Sequence, residues 1–106
     1  MGCEKLKKKT SNLAKLERNR FSVFTDNLGF CYFCGLPRQD LHELLGGRNR
    51  LNSMKYGYVL PLCRSHHNML HNNVVLIEEW KRKSQEHFEE SHSRDEWLEV
   101  FKKNYL

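Results

Sequence analysis

Four side chains able to bind a metal fall within ten positions in the stretch LCRSHHNMLH, residues 62–71: Cys63, His66, His67 and His71. Cys63-Arg-Ser-His66 has C-x-x-H spacing, and upstream Cys31-Tyr-Phe-Cys34 has C-x-x-C spacing. Two such knuckles can present four ligands at the corners of a tetrahedron, the arrangement structural zinc requires. A redox role for the C-x-x-C pair would call for a surrounding βαβ pattern, which is absent. Cys3 lies apart in a charged N-terminal segment and stays outside the set.

That set uses one histidine and leaves His67 and His71, four residues apart. On a helix this spacing stacks two imidazoles on one face, which is a chelating geometry. Neighbouring helical residues diverge by about 100°, so His66 and His67 can serve different sites. His42 is the third candidate, in DLHELLGG, a segment bracketed by the two knuckles. A zinc joining residues 31–34 to 63–66 would bring His42 to face His67 and His71. Three imidazoles around one divalent cation, with coordination positions left open, make a catalytic rather than a structural arrangement.

Elements able to hold these groups can be read around them. TSNLAKLERNRFSVFT predicts a helix over about residues 11–25, with Ser11 as N-cap and Leu13, Leu16, Val23 and Phe24 near helical spacing. FCYFC is short, aromatic and strand-like; LHELL predicts a short strand, and GGRNRLNSMKYG reads as a loop. YVLPLC predicts a second strand, with Pro61 arguing for an edge or a strand end. From Arg64 the pattern is helical, and Ile77, Trp80, Ser84 and Phe88 mark one face of a helix running to about residue 90. Ser93–Glu96 forms a capping box opening a last helix, about residues 94–104, whose Trp97, Leu98, Phe101 and Tyr105 are expected in the core.

With 106 residues the chain is expected to be a single domain, residues 1–106, with room for only a modest core that a metal staple would support. Hydrophobic residues at 39% and charged residues at 29% exclude a disordered composition. No stretch reaches the length of a membrane span and no apolar leader follows Met1, so reduced cysteines, a cytoplasmic setting and no membrane partner are expected. The net charge of +5 is uneven: twelve Lys and Arg face five acids up to residue 64, and six face eight acids after it. A basic front half suits a face that meets nucleic acid.

Taken together, CYFC, DLHELLGGRNR, NSMKYG, VLPLC and CRSHHNMLH make the chain resemble the HNH endonucleases, the ββα-metal nucleases, and in particular the small HNH proteins encoded by bacteriophages. The resemblance covers about residues 31–71, and the flanking LERNRFSVFTDNL and FKKNYL also look like that group. It implies an α+β fold: a small ββα-metal (His-Me finger) core over about residues 30–90, with a zinc knuckle and flanking helices. It also implies metal-dependent DNA endonuclease activity, hydrolysing phosphodiester bonds by a one-metal mechanism in a bacterial host cell. Carried over by position, His67 and His71 match the helix metal ligands, and the catalytic cation would be Mg²⁺, Mn²⁺, Ni²⁺ or Zn²⁺.

Many relatives have His-His or Asp-His on the first strand, where this chain has His42-Glu43. Two assignments follow. Either His42 ligates the cation and Glu43 handles the water proton, or His42 is the base and Glu43 or Asp40 helps hold the cation. The family's middle asparagine has two candidates, Asn49 and Asn52, and His66 stands where a cysteine is commoner. Arg48, Arg50 and Lys55 are candidate phosphate contacts, and the N-terminal KLKKK would add diffuse attraction to DNA. Two further possibilities are a zinc-stabilised DNA-binding or accessory module of the same fold, with weak or no catalysis, and a nuclease working beside phage packaging or recombination proteins.

Overall fold

A computed structural model describes residues 13–106; Ser11, Cys3 and the KLKKK run lie outside the described residues. The chain is an α+β fold built on one antiparallel hairpin with helices around it. Strand β1, Asp40–Glu43, pairs with β2, Val59–Leu62, in the register Asp40↔Leu62, Leu41↔Pro61, His42↔Leu60 and Glu43↔Val59. Alternation along β1 puts Asp40 and His42 on one face and Leu41 and Glu43 on the other. Pro61 lies in a strand without breaking its ladder. The carbonyls of Tyr58 and Leu62 accept from Leu44 N and Gln39 N across the hairpin, so alternation points the backbone of buried Pro61 away from β1, where its carbonyl accepts from Tyr32 N at 2.8 Å.

Among the described residues helix α1 occupies 13–18, and it ends well before the expected end at about residue 25. Val23 and Phe24, whose spacing suggested its continuation, belong to irregular chain: Val23 N donates to Gly57 O, and the Phe24 ring packs against Tyr58 and Trp80. The expected strand at FCYFC is instead a turn bracketed by a Phe30↔Pro37 bridge, with Cys31 N donating to Leu36 O and Gly35 N to Cys31 O. Gly35 sits at φ 76°, a conformation that curls the knuckle and that strands do not use.

The stretch read as a loop before β2 contains a 3-10 turn, Gly47–Asn49, and helix α2, Arg50–Tyr56. Only Ser53 and Met54 are buried in α2, so it carries almost no apolar periodicity to betray it. Gly57 ends α2 at φ 81°, and a side chain there would run into the Phe21 ring. Ser53 ties α2 to the hairpin by donating to Tyr58 O while accepting from Leu45 N.

The helical stretch from Arg64 divides into two helices. Helix α3, Arg64–His71, starts at Cys63, whose sulfur accepts from His66 N; helix α4, Val74–Phe88, restarts at Asn73, whose side chain caps Leu76 N. Helix α5, Arg94–Phe101, has the expected capping box between Ser93 and Glu96 but stops at Lys102. Leu44, Leu45, Tyr58, Leu60, Leu62, Leu70, Trp80, Phe88, Trp97 and Phe101 form the core, and Leu98 faces outward. Buried Gln85 secures the C-terminal chain by accepting from Tyr105 N and donating to Asn104. Asn49 and Asn52 donate to the carbonyls of Phe101 and Val100, so both brace α2 against the end of α5. Among the described residues no helix is long and apolar enough to cross a membrane.

Candidate metal centres

The four knuckle side chains converge. Cys31, Cys34, Cys63 and His66 bring their donor atoms within 4.8 Å of one another. Cys34 Sγ lies 3.8 Å from Cys63 Sγ, and His66 Nδ1 lies 3.5 Å from Cys31 Sγ and 3.2 Å from Cys63 Sγ. Tetrahedral zinc with ordinary bond lengths sets S···S at about 3.8 Å and S···N at about 3.5 Å, so the donor set suits that ion. Burial pushes the Cys31 thiol up, but backbone N–H groups of Cys63, Cys34 and Phe33 outweigh it and bring it to about 6. At exposed Cys34 the Leu36 N–H pulls the thiol down; desolvation and the sulfurs of Cys31 and Cys63 outweigh it, and the net direction is up. Crowded sulfurs resist simultaneous ionisation, and a cation among them removes that resistance.

The second cluster is His42, His67 and His71, again within 4.8 Å. His42 comes from β1, and His67 and His71 from one face of α3. His67 Nε2 lies 3.2 Å from His42 Nδ1 and 3.0 Å from His71 Nε2. Three nitrogens at ordinary bond length from one cation stand roughly 2.9 to 3.4 Å apart, so this set also suits a metal. Burial, then the charges of His67, His71 and Lys81, pushes His42 down to about 4, leaving it neutral at neutral pH. Metal coordination needs that neutral form. His71 is the exposed member, so the cluster opens to solvent on its side.

The separation of His66 from His67 is therefore a consequence of α3. Adjacent on the helix, they turn into different clusters, one against the knuckle and one against β1.

The other residues singled out from the sequence lie as follows. Glu43 is on the opposite face of β1 from His42, where its Oε1 accepts from Arg50 Nε at 2.9 Å and Arg20 Nη2 at 3.1 Å. Arg50 Nη2 also lies 3.8 Å from Glu17. Arg48 and Lys55 are exposed, and the Lys55 ammonium sits 5.7 Å from the Tyr56 ring centre. Asp40, expected at most to help hold the cation, instead lies behind His67, its Oδ2 3.1 Å from His67 Nδ1. Arg64 Nε donates to the same oxygen at 2.9 Å. The Arg64 guanidinium, then the His67 ring, holds the Asp40 carboxyl below its usual range. The available signal was strand spacing: Asp40 precedes His42 by two residues and shares its face.

No family model matches this chain, and no solved structure matches it. Among curated proteins, one described as "Uncharacterized protein YdfU", from Escherichia coli (strain K12), is 43% identical over 51 residues. The match covers 46% of this chain and 15% of that protein, so the chain spans only a small part of the relative's length. The similarity brings with it no stated activity. What the chain itself presents is an α+β fold with two His/Cys clusters able to coordinate metal ions.

Proposed function

We propose that the chain is a metal-dependent DNA endonuclease of the HNH, ββα-metal type, held together by a structural zinc. The supporting observation is the division of metal-binding side chains into two sets across one short helix, a thiolate-rich set and an all-imidazole set. Thiolates favour a closed structural zinc, whereas three histidines leave coordination positions for water and a phosphate oxygen. A divalent cation in the second set would supply positive charge to a phosphodiester and its leaving 3′ oxygen.

The chain's own groups have separable tasks in this reading. His67 and His71 hold the cation. His42, neutral and half-buried, either completes the ligand set or receives the proton of the attacking water. Arg48 and Lys55 grip the DNA backbone, which requires no base readout. Arg50, bound by Glu43 and Glu17, takes a smaller share of that contact.

Purified protein incubated with supercoiled plasmid and Mg²⁺ or Mn²⁺ is expected to give nicked or linear DNA. His67→Ala is expected to abolish cutting while keeping the knuckle zinc and the fold. Absence of cleavage with every divalent metal would overturn the enzyme reading. One observation favours a second reading, a zinc-stabilised module that binds DNA without cutting it: Glu43, beside His42 in sequence, is occupied by two arginines instead of facing the histidines. Retained DNA binding with one metal per chain would select that reading. A requirement for a phage packaging or recombination protein would show as cleavage only in the partner's presence.

A further inference from the structure

We propose that Asp40 is the positioning residue of the histidine cluster: it accepts the Nδ1 proton of His67, fixing the tautomer and ring angle that turn Nε2 toward His42 and His71. The inference rests on the reading of that cluster as a cation site. Both nitrogens of His67 are engaged, Nδ1 with Asp40 at 3.1 Å and Nε2 with the two other rings at 3.2 and 3.0 Å. A carboxylate without a proton can only accept, so the 3.1 Å contact calls for the hydrogen on Nδ1, and in the neutral ring Nε2 then keeps the lone pair. This is the tautomer the cluster requires, and a carboxylate behind a ligand imidazole also raises its basicity.

Asp40 is itself held from both sides. Arg64 Nε donates to Oδ2 at 2.9 Å and Arg64 Nη2 reaches Oδ1 at 3.4 Å. The backbone N of Arg64 donates to Gln39 Oε1 at 2.8 Å, so consecutive residues of the β1 end seize the first turn of α3. Arg64 follows the zinc-knuckle residue Cys63 directly. The clamp therefore sets the height of α3 along β1, and with it where His67 and His71 meet His42. Asp40 does not join the converging donors of the cluster, which are His42, His67 and His71. With both oxygens held by Arg64 and one also on His67, it serves behind the ligands and is not a fourth ligand.

The test uses the full chain with one equivalent of zinc, which the thiolate set takes first, and has two readouts. Long-range proton–nitrogen NMR correlation of the histidine rings in mildly alkaline buffer reports the His67 tautomer in the wild type. The Nδ1–H form is expected, and the Nε2–H form would overturn the proposal without any variant having to fold. Mn²⁺ titration then compares wild type with Asp40→Ala and Asp40→Asn. Asp40→Ala is expected to weaken Mn²⁺ binding by about 10- to 100-fold, with knuckle zinc content unchanged. Asp40→Asn keeps an acceptor for Nδ1–H without the charge, and is expected to recover part of that loss. Mn²⁺ affinity within twofold of wild type in a folded Asp40→Ala protein would refute the positioning role. A wild type showing the Nδ1–H tautomer but taking up no second metal would sink the proposed cation site and leave the Asp40–His67 clamp supported.

Discussion

His42 and Glu43 are consecutive, yet β1 turns one to the histidine cluster and the other to a pair of arginines. Their substitutions should separate accordingly. Glu43→Gln removes the charge that Arg20 and Arg50 share, in a side chain only 12% exposed, and is expected to cost about 1–3 kcal/mol of stability while Mn²⁺ uptake persists. Chemical denaturation and metal titration on the same protein check this. Loss of DNA nicking with fold and metal intact would instead give Glu43 a catalytic part. With no cation on the histidine cluster, His42 makes a pH prediction. Its folded value near 4 lies below the ordinary 6.5, so between these values the unfolded chain binds the proton that the folded chain refuses. Stability is then complete above pH 6.5 and falls as pH drops toward 4, by about 3 kcal/mol across the window. Comparing wild type with His42→Phe isolates this contribution, because the variant should lose that share of the acid sensitivity. A pH dependence unchanged in the variant would contradict it.

Helix α2 and the knuckle turn are the elements that pattern reading handled worst, for different physical reasons. In α2, fewer than two turns with one buried apolar side chain cannot generate a helical period, so GGRNRLNSMKYG resembled a loop. In FCYFC the aromatics imitated a strand, but Gly35 and the Cys31–Leu36 and Cys31–Gly35 hydrogen bonds close the backbone into a turn. Legible from the outset were the elements with strong chemistry at their ends, such as the Ser93 capping box and the Cys63 start of α3. The two clusters were also legible, because the C-x-x-C and C-x-x-H spacing claims His66 and the helical angle turns His67 away from it. Asp40 was not given its place because its role depends on strand register against α3, which a single segment does not reveal. At this scale Gly57→Ala is expected to destabilise by at least about 1–2 kcal/mol, since φ 81° disfavours any side chain and Phe21 occupies the space. A lowered urea midpoint with unchanged slope is the expected observation. Cys31→Ser is expected to act on the whole fold, because zinc binding energy in a small domain is folding energy. Unchanged melting and zinc content in that variant would remove the knuckle from its structural role.

On the proposed nuclease reading, charge decides how the molecule as a whole would meet DNA. The basic excess lies in the front of the sequence, yet part of it is already neutralised: Arg20 and Arg50 face Glu17 and Glu43, and Arg64 faces Asp40. Paired arginines release few counterions on binding, because their counter-charge belongs to the protein. Exposed Arg48 and Lys55 are the better candidates for phosphate contact. If each neutralises one phosphate, the double variant Arg48→Ala/Lys55→Ala should flatten the slope of log affinity against log salt by roughly 2. It should also weaken binding by a similar factor on every DNA sequence, since phosphate contacts carry no base information. Arg50→Ala should change that slope less, and should lower stability more, through Glu43. Fluorescence anisotropy with a labelled duplex across a salt series measures both quantities. If Arg50→Ala alone reproduced the full loss of slope while the double variant left it unchanged, the DNA contact would lie on the Glu17–Glu43 side of the hairpin, and the ion pairs there would have to open when DNA arrives.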